Sequence, residues 1–341
     1  MIEDALPTFT PMPCTTLSLY FLLRNLLMAA CAWKAAAFID HLFRNDSLIF
    51  TGIWVIGHEC GHGAFSDYKL LNDAVGFLRV SVFAMERDEV YVPETRADLG
   101  LPPADEARPV EYDEIMGDTP LYTPFVLVRQ QLVAFPAYLL FNVSGQKTYP
   151  EATNHFDPKS TLFTPEQRTV VLSSNAGIGA KVIAAISASH VYSLAAVVKF
   201  YGIPWLLVTH WFIMITYLHH TTPELPHYRG REWDFQRGAA ATVDPPFLGW
   251  QCRFFLHDVA HFHVVHHFFS KMPFYHGEEA TKYLQAFIRE HYAYSEKPIF
   301  EALWESYNQC QFVEDEGPVL FYRVRQGRAA RRAARVQKGI R

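Results

Sequence analysis

The sequence predicts an all-α protein: an integral membrane helical bundle of about four spanning helices plus interfacial helices, topped by a His-rich cap. Three observations predict it. Half of the 341 residues are hydrophobic and only 19% are charged, against about 25% charged in soluble domains. Several apolar runs approach the roughly 20 residues that cross a hydrocarbon core as a helix. The long apolar runs also lack the short apolar–polar alternation of strands in a membrane barrel.

Taken in order, residues 1–16 are acidic and Pro-rich, unlike the basic start of a secretory leader. Residues 17–41 are mostly apolar, with Arg24 and Lys34 inside them, and read as an imperfect spanning helix. Residues 48–57 are apolar but short, and the helix can continue through Gly61 toward Phe65. A moderately apolar stretch follows at 70–85. Residues 86–120 are charged and rich in Pro and Asp, so they belong outside a bilayer. Residues 121–141 are apolar again, but Arg129, Gln130 and Gln131 interrupt them, which predicts an interfacial helix. The strongest membrane signal is the pair of runs 178–198 and 202–218, expected as a helical hairpin joined near 199–201. After Pro223 the chain turns polar, aromatic and rich in histidine, as a cap outside the bilayer should.

The net charge of −5 conceals an asymmetry. Residues 323–341 carry eight Arg or Lys and no acid, so the first 322 residues carry −13. The expectation for that basic tail is a disordered, solvated segment. The five cysteines, Cys14, Cys31, Cys60, Cys252 and Cys310, are scattered with no C-x-x-C pair. That suits a reducing compartment and argues against a disulfide framework.

Sixteen histidines are the compositional anomaly. One cluster is His58-Glu59-Cys60-Gly61-His62 and another is His263-Val264-Val265-His266-His267. Residues four apart share a helix face, so His58 and His62 can aim two imidazoles at one point, and His263, His266 and His267 three. Neutral imidazole ligates zinc, iron, copper and nickel. A pair of such clusters, each near the end of an apolar segment, points to a metal site. The first cluster alone also fits H-E-x-x-H, the zinc metalloprotease helix with Glu59 as general base. That reading leaves the second cluster without a role.

The chain resembles the membrane-bound fatty acid desaturases of the fungal and plant oleate delta-12 type. The resemblance is carried by TGIWVIGHECGHGAFSDYKLLNDAVG (51–76), ERDEVYVP (86–93), YLLFNVSG (138–145), ITYLHHTTPELPHYRGREWDFQRGAAATVD (215–244), HVVHHFFSKMPFYHGEEATKYL (263–284) and FVEDEGPVLFY (312–322). It implies a desaturase domain over 17–322, after an N-terminal segment of 1–16. It also implies an endoplasmic-reticulum membrane location with the cap cytosolic. The family's activity is desaturation of a fatty acyl chain, oleoyl-like here or a polyketide tail. Its cofactor is a pair of iron ions, and its electrons come from NADH by way of cytochrome b5 and its reductase. Carried over by position, the metal ligands are His58, His62, His220, His263, His266 and His267.

The sequence also departs from the family. A second H-x-x-H-H cluster belongs between Gly76 and Glu86, yet no histidine occurs from 63 to 154. Met85 runs straight into Glu86, as after a deletion or a mis-spliced gene model. Gly63 stands where the first box usually has a further histidine, His219 where glutamine is usual, and His261 where an acid is usual. The alternative to an active desaturase is therefore a non-catalytic membrane protein of desaturase ancestry with an incomplete metal site, binding one iron or none.

Overall fold

The structure is a computed structural model that describes residues 12–38, 46–79, 91–103 and 122–331. The helices follow as α1 (Thr15–Phe38), α2 (Asp46–His62), α3 (Lys69–Arg79), α4 (Tyr122–Phe141), α5 (Arg168–Tyr192), α6 (Leu194–His220), α7 (Phe235–Ala240), α8 (Trp250–Phe255), α9 (His263–Phe268), α10 (Gly277–Ile288) and α11 (Ile299–Gln309). The strands are two residues long. β1 (His227–Tyr228) pairs antiparallel with β4 (Val319–Leu320), and β2 (Val243–Asp244) pairs parallel with β3 (Ala293–Tyr294).

Three helices among the described residues are long and apolar enough to cross a membrane: Tyr122–Phe141, Pro165–Tyr192 and Leu194–His220. Their apolar side chains are largely bare, with Ile183 66% and Leu194 68% exposed. Apolar surface of that extent suits lipid, and the three helices suggest membrane association.

The helix expected over 17–41 is α1 (Thr15–Phe38), which runs for 24 residues. Its Arg24 is accounted for by the cap: the guanidinium donates to the Phe254 carbonyl at 2.6 Å and lies over the Phe21 and Phe254 rings. Asn25, fully buried beside it, meets His257 Nε2 at 2.9 Å. Polar residues within this apolar helix thus dock it to the cap.

Residues 122–141, expected as an interfacial helix, form one continuous helix, α4, that is long and apolar enough to cross a membrane. Of the polar interruption, Gln131 is buried, with its Oε1 3.0 Å from His210 Nδ1 on α6, while Arg129 is exposed. The break between the last two spans also differs from expectation. It falls at Ser193, whose φ of 113° ends α5, while residues Val198–Gly202 form a π-helical turn inside α6. Ser193 supplies its own restart, since its side chain accepts from the Ala196 N–H at 3.2 Å.

The core lies where the inner end of α6 meets the cap. Met214, Ile215, Tyr217 and Leu218 of α6 pack with Phe247, Cys252, Leu256, Ala260, Ile299 and Leu303. A second cluster joins Val264, Val265 and Phe268 of α9 to Ala239, Met272, Ala280 and Leu284. A third joins α2 to α3 through Ile56, Cys60, Phe65 and Val75. At the C-terminal end, residues 323–331 turn back on Phe312, and Arg323 pairs with Glu314 at 2.8 Å. The rest of the basic tail, 332–341, and the Met85–Glu86 join lie outside the described residues.

Candidate metal centre

The first histidine pair is delivered by α2. His58 and His62 stand one turn apart at its C-terminal end, where Gly63 (φ +72°) stops the helix. The Ala64 N–H returns to the Glu59 carbonyl at 2.9 Å and the Gly63 N–H to Cys60 at 3.1 Å. A left-handed cap of this kind favours glycine, so Gly63 is the helix stop and His62 carries the imidazole. Farther back, Gly52 lets α2 approach α8: a Cβ there would stand 2.0 Å from the Phe255 carbonyl oxygen.

The second set comes from α9, a helix of six residues. So short a helix is not stable by itself, and the residue at its N-cap, Phe262, offers no capping group. The cap comes from elsewhere. Asp244 Oδ1 accepts from the His263 and Val264 N–H groups at 2.8 and 2.9 Å, and Tyr292 donates its hydroxyl to Asp244 Oδ2. Burial pushes the Asp244 carboxyl up to about 7, against the pull of those hydrogen bonds. His220 arrives from the last turn of α6.

These six imidazoles form two groups: His58, His62 and His266 in one, His220, His263 and His267 in the other. Within each group one ring nitrogen per residue lies within 4.8 Å of the others. The Nε2 atoms of His58 and His62 are 3.2 Å apart, those of His220 and His263 3.2 Å, and those of His263 and His267 3.0 Å. Nitrogens bound about 2.1 Å from one ion at right angles to each other stand about 3.0 Å apart. The donor set therefore fits a metal in each group. The groups adjoin, with the His266 ring centroid 5.6 Å from His263 and 6.1 Å from His267.

Burial holds His263, His266 and His267 well below the usual imidazole range, and the neighbouring imidazoles push the same way. Neutral rings keep a lone pair for a metal. The Nδ1 atoms of His58 and His263 are buried with no hydrogen-bond partner among the described residues. Stacking orients these two rings: Trp54 lies on His58 at 5.3 Å between centroids and His219 on His263 at 4.1 Å. His219 is fully buried, and its Nε2 lies 2.9 Å from the Ala260 carbonyl oxygen.

The chain matches known proteins over most of its length. The fatty acid desaturase family model matches residues 104–297. A delta(12) fatty acid desaturase of Mortierella isabellina is 41% identical over 323 residues, covering 88% of this chain and 79% of its own. The corresponding protein of Mortierella alpina is 40% identical over the same shares. An oleate hydroxylase of Claviceps purpurea is 34% identical, over 82% of this chain and 68% of its own. The chain belongs to the fatty acid desaturase family.

In this family member the structure brings together the six histidines of the expected ligand set, though as two groups. The third histidine beside His58 and His62 is His266 from the other cluster, and it is the second group, His220, His263 and His267, that the metalloprotease reading leaves without a role. His219 and His261, both flagged as departures, join neither group: His219 stacks on His263, and His261 Nδ1 meets Asp258 Oδ1 at 2.7 Å. Asp244 and Tyr292 escaped the sequence reading, because nothing local ties them to a histidine cluster 19 and 29 residues away. Glu59, 2% exposed, lines a small cleft with Asp258, Phe262, His266 and Phe274.

Proposed function

We propose that this chain is an acyl-chain desaturase that introduces a double bond into a fatty acyl chain, oleoyl-like or a polyketide tail, with His58, His62 and His266 holding one iron and His220, His263 and His267 the other. The observation that carries the reading is the convergence of imidazoles from α2, α6 and α9 into adjoining groups. The desaturase unit spans 17–322 and sits in the endoplasmic reticulum membrane with its cap in the cytosol. Cytochrome b5 and its NADH-dependent reductase supply the electrons.

A methylene C–H bond has no acidic proton, so side-chain acid–base chemistry does not break it; bound iron would supply the activation of dioxygen that this step needs. Two C–H bonds break and one C=C bond forms. Dioxygen becomes two waters, taking two electrons from the acyl chain and two from NADH. The residues of the chain hold and orient. The rings stay neutral, the stacking of Trp54 and His219 fixes two of them, and the buried walls limit water around the reacting groups.

One observation favours the second reading, a non-catalytic protein of desaturase ancestry: among the described residues each group offers three nitrogens, and the sequence has no histidine from 63 to 154. Expression in a yeast that makes oleate and lacks polyunsaturated lipids separates the two. Appearance of a diene by gas chromatography, lost in His266→Ala, supports the desaturase. Its absence with folded, membrane-inserted protein supports the second reading. Sequencing the transcript across Ala84 to Glu86 then tells whether the join belongs to the expressed protein.

A further inference from the structure

Two polar side chains, Asp244 and Tyr292, meet at the start of α9 without belonging to the ligand set. Asp244 is fully buried at the end of β2. Its Oδ1 accepts two backbone N–H groups, from His263 and Val264. Its Oδ2 accepts the Tyr292 hydroxyl. The carboxylate is itself anchored by the ladder, because β2 runs parallel to β3 with Asp244 opposite Tyr294, and the Ser295 N–H donates to the Asp244 carbonyl at 3.1 Å.

The geometry points to Asp244, braced by Tyr292, as a positioning residue that sets the rotation and height of α9 and hence the aim of its three imidazoles. This rests on the metal reading above. The reason is mechanical. A helix of six residues has about one and a half turns and no N-cap side chain of its own. It carries His263 and His267 toward one group and His266 toward the other. A small rotation of α9 would move the three rings at once, opening the 3.2 Å spacing between His263 and His220 and turning His266 away from His58 and His62. Two backbone hydrogen bonds to one carboxylate oxygen fix that rotation, and Tyr292 fixes the carboxylate. Ordinary capping would stabilise the helix by about 1 kcal/mol. The positioning role goes further and predicts a change at the metal itself.

The test is cobalt(II) binding to the purified full-length protein in detergent, followed by the visible ligand-field spectrum and by titration. Asp244→Ala should weaken cobalt binding about 10- to 100-fold, the range typical for groups that orient metal ligands, and should shift the absorption bands. Asp244→Asn keeps an oxygen acceptor for both N–H groups and should retain the wild-type spectrum. Tyr292→Phe should move affinity and spectrum in the same direction as Asp244→Ala by a smaller factor. Wild-type affinity and spectrum in a folded Asp244→Ala protein overturn the inference, as does equal damage in Asp244→Asn. If Asp244→Ala does not fold, Tyr292→Phe decides: an unchanged spectrum overturns the inference. Wild-type protein that takes up no cobalt overturns the metal reading and this inference with it, whereas cobalt binding that is indifferent to the variants overturns this inference alone.

Discussion

His266 and His267 are neighbours in the chain and belong to different ligand groups: His266 closes on His58 and His62, His267 on His220 and His263. Successive helix residues point about 100° apart, so one short helix serves both groups and ties them into one centre.

Each of these two histidines should therefore account for a different ion. His266→Ala and His267→Ala should each lower the bound metal of the purified protein by about one equivalent, and each should abolish diene formation. Elemental analysis of the two variants checks this. Full metal content in either one would contradict the division into groups.

The approach of α2 to α8 makes Gly52 sensitive to any side chain. Gly52→Ala places a methyl 2.0 Å from the Phe255 carbonyl oxygen, and backbone does not yield as a flexible side chain would. Forced overpacking costs about 1–3 kcal/mol. The thermal midpoint in detergent should fall by several degrees. Metal affinity should weaken as well, because α2 carries His58 and His62. An unchanged midpoint would mean that the helices are not this close.

The C-terminal part of the cap should be sensitive to acid. Glu314 accepts both forks of the Arg96 guanidinium at 2.8 Å and pairs with Arg323 at 2.8 Å. The hydrogen bond from Arg96 holds the Glu314 carboxyl below its usual range. A depressed carboxylate contributes its full stability above its unfolded value of about 4.3, and the contribution is lost as pH falls through the folded value. Glu314→Gln should cost about 2 kcal/mol at pH 7, between exposed and fully buried pairs. The gap between variant and wild type should narrow toward pH 3. Unfolding curves at the two pH values decide; a gap independent of pH would assign the effect to packing.

The three long apolar helices give a simpler expectation. The chain should sediment with membranes and resist extraction by high salt or carbonate. Recovery in the soluble fraction would remove the assignment of Tyr122–Phe141, Pro165–Tyr192 and Leu194–His220 as spans.

The sequence by itself determined the helical class and the last two apolar runs and singled out His58, His62, His263, His266 and His267, because hydropathy and helical spacing act over a few residues and are written locally; His220 came from the family resemblance. Tertiary structure decided what depends on contacts far apart in the chain. Gln131 reads as an interruption until His210 stands beside it. Arg24 reads as an obstacle to a span until the Phe254 carbonyl and His257 receive it. Gly63 reads as a lost histidine until its φ of +72° makes it a helix stop. The division of ligands into two groups, and the remote cap that Asp244 gives α9, have no sequence signal at all. Both arise from where β2, α2 and α6 come to rest around a helix too short to set its own orientation.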